Sequence, residues 1–152
     1  MGRTSSIINT DMPEAIGSYA FYSYNQLKNV TISRTTAAYS SAFAYCSNLE
    51  SINLPDVVAI SDYTFAYCYK LSDISLPKCT YIGSYAFQYC SSLVNLSLPA
   101  LQEYGSAPFY GCQRLSSVDL PNLQLISYLF VNMPALTTIN AAECLSIYYY
   151  GI

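Results

Sequence analysis

Read only for its apolar and polar positions, the chain repeats itself. Phenylalanines stand at 21, 43, 65, 87, 109 and 130, spaced by 22 residues four times and then by 21. Six residues after each comes Leu27, Leu49, Leu71, Leu93, Leu115 or Leu136, and nine after it Val30, Ile52, Ile74, Leu96, Val118 or Ile139. Eleven after it stand Ile32, Leu54, Leu76, Leu98, Leu120 and Ala141. Between these last two rows apolar and polar residues alternate, as in INL, ISL and VDL, which is the period of a short strand with one buried face. Pro55, Pro77, Pro99 and Pro121 follow directly. Proline lacks the N–H that a paired strand needs, so each strand ends there and the chain turns. Val57, Cys79, Leu101, Leu123 and Cys144 supply a further apolar position.

A period of roughly 20 to 29 residues with these offsets describes a leucine-rich solenoid, whose single turn cannot bury its own apolar face and must stack on its neighbours. The expected fold is a leucine-rich repeat solenoid of about six 22-residue turns, with a parallel β-sheet on one face. Its strands would lie about 4.8 Å apart. The segments containing YAF and a following cysteine would return along the other face as tight or short helical turns. Residues 1–7 read as a leader or expression-derived stretch and 8–152 as a single repeat domain, with Ile8 at the strand position nine after a missing phenylalanine.

The pattern I-x-x-Y-A-F-x-x-C-x-x-L-x-x-I-x-L-P, matched almost throughout by IGSYAFQYCSSLVNLSLP at 82–99, resembles the BspA-like, or Treponema-type, leucine-rich repeats. The resemblance runs from about Ile8 to Ile152. It implies surface attachment, protein binding and a cell-surface or extracellular location, and it brings no common catalytic residues. Tyr24 and Met133 replace the cysteine, and Ser33 and Ala142 replace the proline. These departures fall near the ends, where atypical turns are expected.

Composition narrows the function. Lys and Arg together number six, are scattered, and leave a net charge of -3, so no electrostatic footprint for nucleic acid or an anionic membrane exists. No apolar run approaches the roughly 18 to 20 residues of a membrane span, and MGRTSSIINTDMPEAIG lacks the apolar stretch of a secretory signal. Histidine is absent, which removes the commonest general base and the commonest metal ligand. The chain therefore reads as non-enzymatic, with no catalytic residue, cofactor or metal.

Four cysteines (Cys46, Cys68, Cys90, Cys112) recur one per turn. Four thiolates could make a zinc site, but a 22-residue spacing lines them up instead of converging them on one point. Parallel side chains also place neighbouring sulfurs poorly for a disulfide torsion. They read as reduced packing residues, small hydrophobes in a ladder.

Two outward surfaces remain as binding candidates. On the sheet face, Asn29, Ser51, Asp73, Asn95, Ser117 and Thr138 form one row and Thr31, Asn53, Ser75, Ser97, Asp119 and Asn140 the next. Solenoids commonly bind through such a face, and small polar residues are equally what a solvated sheet would carry. The second candidate comprises Tyr19, Tyr63, Tyr85 and Tyr128, two residues before the phenylalanine, and Tyr45, Tyr67 and Tyr89, two after it. These rings either cover one another or form an interaction surface, since tyrosine gives large contact area at low entropic cost. The expected role is a protein-binding or adhesion module with a protein or surface glycan partner, on a bacterial surface or as an appendage of a virus infecting bacteria. The alternative is a structural protein that self-assembles. SIYYYGI aligns Ile147, Tyr150 and Ile152 with Ile82, Tyr85 and Phe87, so uncapped ends could stack head to tail as a homo-oligomer or filament.

Overall fold

A computed structural model of the protein describes the backbone of residues 5–9 and residues 14–148. Residues 1–4, Tyr150 and Ile152 lie outside the described residues. The odd-numbered strands are β1 (Ser5–Asn9), β3 (Leu27–Ile32), β5 (Ser51–Asn53), β7 (Asp73–Ser75), β9 (Asn95–Ser97), β11 (Ser117–Asp119) and β13 (Thr138–Asn140). They alternate along the chain with β2 (Ala15–Ile16), β4 (Ala37–Ala38), β6 (Ala59–Ile60), β8 (Tyr81–Ile82), β10 (Glu103–Tyr104), β12 (Leu125–Ser127) and β14 (Ser146–Tyr148). All pairs are parallel, and no helix occurs among the described residues. The result is a leucine-rich repeat solenoid of about six turns.

The odd strands carry the expected sheet. Ile52 lies beside both Val30 and Ile74, and Val118 beside both Leu96 and Ile139, so the 22-residue period is the pairing register itself. At the N-terminal end the register slips. β1 begins at Ser5, ahead of the start expected at residue 8, and Ile7, in place of Ile8, lies beside Val30. The even strands were not anticipated as a sheet. Val57, Cys79, Leu101 and Leu123 are buried just after the prolines, and two residues further on in each turn begins a strand of a second parallel ladder.

The YAF segments return as tight bends and not as helical turns, because their N–H groups point alternately in two directions. Ala42, Ala44 and Cys46 donate back to Tyr39, Ser41 and Phe43, whereas Ser41, Phe43 and Tyr45 donate to Asp62, Thr64 and Ala66 of the next turn. A helix would send every N–H back along its own chain. The alternation requires left-handed backbone at the positions two before and two after the phenylalanine, and φ there is 57° at Ser41, 62° at Tyr45, 56° at Tyr63 and 63° at Tyr67.

Inside the coil the aromatic rings stack: Phe21, Phe43, Phe65, Phe87 and Phe109 follow one another at 5.0, 5.2, 5.2 and 5.6 Å between centroids. The stack ends there. The last turn is one residue short, so Leu129 is fully buried in the core and Phe130 is only half-buried.

Both ladders are interrupted, at different places. The odd strands divide between β7 and β9 into a four-stranded and a three-stranded sheet, and the even strands divide between β10 and β12. Elsewhere the strand ends are tied across turns, as where Leu54, Leu98 and Leu120 donate to Ser75, Asp119 and Asn140. The matching bond from Leu76 to Ser97 is absent among the described residues. Phe87→Ala, which removes a ring stacked on both sides, is expected to lower stability by about 3–5 kcal/mol. Phe130→Ala should cost less than half as much, as measured by urea unfolding.

Candidate binding surfaces

The cysteine ladder is part of the scaffold. Each thiol donates to a phenylalanine carbonyl of the preceding turn: Cys46 to Phe21 at 3.0 Å, Cys68 to Phe43 at 3.2 Å, Cys90 to Phe65 at 3.3 Å and Cys112 to Phe87 at 3.1 Å. A residue here must be small enough to fit between stacked turns and still supply a weak donor, which is what cysteine offers. Burial pushes the Cys46 thiol up to about 11 and that of Cys112 up to about 12, and holds those of Cys68 and Cys90 well above their ordinary value. A thiol that resists ionisation is a poor nucleophile. Cys79, also raised to about 11 by burial, donates to the Tyr81 carbonyl, and Cys144 to that of Ser146. All six cysteines are free thiols.

The tyrosine rows sit at the left-handed positions of the return bends. Tyr19, Tyr45, Tyr63, Tyr67, Tyr85, Tyr89 and Tyr128 all have φ between 54° and 63°. That conformation costs a non-glycine residue roughly 1–2 kcal/mol, and ring stacking offsets part of it. Tyr45 stacks on Tyr67 at 4.5 Å, and Tyr67 meets Tyr89 at 5.3 Å with the rings tilted by 34°. The row ends on Gly111, at φ 75°, where a Cβ would stand 2.5 Å from the Tyr89 ring. In the other row Tyr63 and Tyr85 stack at 5.4 Å, while Ser41 and Ala107 interrupt it and separate Tyr19 and Tyr128 from that pair. Desolvation first, and then neighbouring phenols, raises the pKa of Tyr67 and Tyr89. These rings therefore cover one another, and their outer edges stay accessible.

On the sheet face the small polar residues divide into linked and unlinked groups. Ser51 donates to Asn29 at 2.8 Å, Ser97 to Asp119 at 3.2 Å and Asn140 to Asp119 at 2.6 Å. Asp73, Ser75 and Asn95, on the two strands that flank the division, are exposed and make no side-chain hydrogen bond among the described residues. Between them Ile74 is only half-buried, whereas Ile52, Leu96 and Val118 in the same row are buried. Thr31, Asn53 and Ser117 lie half-buried on the continuous parts of the sheet. The structure thus gathers Asp73, Ser75, Asn95 and Ser97 around an opening and leaves the other sheet-face candidates on an unbroken surface.

Tyr104 was not a candidate from the sequence, although it stands in a row otherwise held by Ile16, Ala38, Ile60, Ile82 and Ile126. That departure from an aliphatic row was the available signal.

The repeat geometry matches a known profile over nearly the whole chain. The BspA type leucine rich repeat region matches in six copies, over residues 3–103 and 58–150. The chain belongs to that family. Its coil is similar to the crystal structure of a leucine-rich repeat protein of Treponema pallidum, at 30% identity and a TM-score of 0.79, covering 83% of this chain and 62% of the other. A leucine-rich repeat protein of Bacteroides ovatus matches at 26% identity and a TM-score of 0.68, covering 86% of this chain and 37% of the other. A leucine-rich cell surface protein of Faecalibacterium prausnitzii shares the fold at 22% identity and a TM-score of 0.63, covering 90% of this chain and 47% of the other. No curated protein sequence matches the chain. The chain thus spans less than two thirds of the length of each of these structures.

Proposed function

We propose that this protein is a non-enzymatic binding or adhesion module that holds a protein partner on its sheet face. The observation that carries the reading is the opening between β7 and β9, where Asp73, Ser75 and Asn95 are exposed and unlinked and Ile74 is half-uncovered. An apolar side chain of a partner would sit on Ile74, and the surrounding carboxylate, hydroxyl and amide would fix its register. Exposed polar groups flanking an apolar centre is the arrangement of a protein-binding patch. The family supports a binding role, and the cell surface protein of F. prausnitzii supports a surface location for this chain. The binding unit would be the single repeat domain, taken from β1 at Ser5 onward so that its first strand is intact.

Head-to-tail self-assembly is the second reading. Ile147, in the last described turn, is 64% exposed although Ile126, Ile82 and Ile60 of the same row are buried, and Leu145 close by is 81% exposed. Light scattering over a concentration series decides it: mass rising with concentration supports stacking, and a constant monomer mass excludes it.

For the sheet face, peptides selected from a random phage-displayed library on the protein are the probe. The double variant Asp73→Lys, Asn95→Lys is expected to weaken the selected binders at least tenfold, about 1.4 kcal/mol, with an unchanged melting temperature. Binders indifferent to these changes would place recognition elsewhere.

A further inference from the structure

The return face is interrupted by a side chain. In the earlier turns the even strands are joined through their main chains: Ser61 donates to Ala38 at 2.9 Å, Gly83 to Ile60 at 2.7 Å and Gly105 to Ile82 at 2.8 Å. The next rung would carry the Ser127 N–H to the Tyr104 carbonyl. Instead Ser127 donates to the Tyr104 hydroxyl at 2.6 Å, and that hydroxyl lies 2.9 Å from the Ser127 carbonyl and 3.2 Å from that of Leu125, to which it can donate. A phenol is longer than the isoleucine that fills this row in the neighbouring turns, and its hydroxyl has to find polar partners when half-buried. Tyr104 therefore acts as a wedge that takes the place of a rung and keeps β10 and β12 from pairing.

Beside this wedge lies a cleft of about 880 Å³ lined by Tyr81, Tyr85, Glu103, Tyr104, Tyr110 and Tyr128, among others. Its volume falls within the roughly 300–1,000 Å³ of small-molecule sites. The Tyr85 and Tyr110 rings meet edge to face, 6.3 Å apart at 75°, so the wall turns a corner. The missing rung also leaves main-chain groups without their ladder partners. The Gln102 and Tyr104 carbonyls correspond to those of Thr80 and Ile82, which accept from Gln102, Glu103 and Gly105, and the N–H of Leu125, also in the cleft wall, corresponds to that of Glu103, which donates to Thr80. Ring faces, a carboxylate, acceptors and donors thus occur together, and no Lys or Arg lines the cleft.

We propose that this cleft binds a neutral saccharide of one or two sugar rings. A pyranose has an apolar C–H face that lies against an aromatic ring, and hydroxyls that both donate and accept. It can answer the carbonyls, the Leu125 N–H and Glu103 at once. An ammonium or guanidinium ion would meet the rings and the carboxylate but has nothing to accept the Leu125 N–H. An anionic ligand would find no cation and one like charge. The site lies in the ladder of even strands, a different sheet from the one that holds the opening, and does not depend on the role proposed for that opening.

Saturation-transfer NMR with cellobiose, maltose, lactose and N,N′-diacetylchitobiose at millimolar concentration tests this, with tetramethylammonium chloride as the cation probe. At least one disaccharide is expected to receive saturation, strongest on its ring C–H protons. Its affinity should fall at least tenfold in Tyr104→Ile, which restores the aliphatic row and lets β12 pair with β10, and severalfold in Glu103→Gln. Circular dichroism and thermal unfolding establish that both variants fold. Three results would overturn the proposal: no disaccharide binds; the disaccharide binds Tyr104→Ile and Glu103→Gln as well as the unaltered protein; or only tetramethylammonium binds and Glu103→Gln removes it.

Discussion

Everything in this molecule depends on one constraint: each turn must place its apolar residues directly over those of the turn before, because no single turn can enclose them. The 22-residue period is that constraint written into sequence, and the parallel register of Val30, Ile52 and Ile74 is its structural form. Residues that look chemical in isolation become intelligible under it. A cysteine recurs because the position is fully buried in the core, and its thiol adds a link to the preceding turn's carbonyl. Tyrosine recurs at left-handed positions because alternate N–H groups have to reach the next turn, and stacked rings lessen the cost of that backbone.

Departures from perfect stacking are few, and both proposed binding surfaces fall at them. A fully paired solenoid presents a uniform wall with its main-chain groups consumed in the ladder. Where β7 and β9 separate, an isoleucine is uncovered among unlinked polar side chains; where β10 and β12 separate, a tyrosine hydroxyl replaces a main-chain rung and an aromatic cleft forms. The two divisions lie in different sheets and at successive junctions between turns. Between them the phenylalanine stack and the thiol links continue from Phe65 to Phe109, so the coil opens at its faces without losing its core.

The period and its offsets made the coil, its strand row and the packing role of the cysteines readable from residues alone. What escaped reading had two physical origins. The second ladder uses strands of only two or three residues, such as Ala59–Ile60, too short to show alternation, and its one signal was the column of aliphatic residues in which Tyr104 stands out. The choice between tight bend and helix turned on backbone conformation, and tyrosine at positive φ is not what residue preference suggests. The sheet-face rows were legible as rows, yet Asp73 and Asn95 look no different in sequence from Asn29 and Ser51. Only the spatial break between two strands separates them.

Amide hydrogen exchange, read residue by residue, tests most directly the claim that the ladders are broken at these two places. Leu54, Leu98 and Leu120 each donate across to the next turn, and Ser72, Ser116 and Gln102 each donate back to the turn before. Their equivalents at the divisions are Leu76, Val94 and Gln124. The account predicts slow exchange for the first six amides and much faster exchange for the last three. Equal protection of Leu76 with Leu54 and Leu98, and of Gln124 with Gln102, would contradict it.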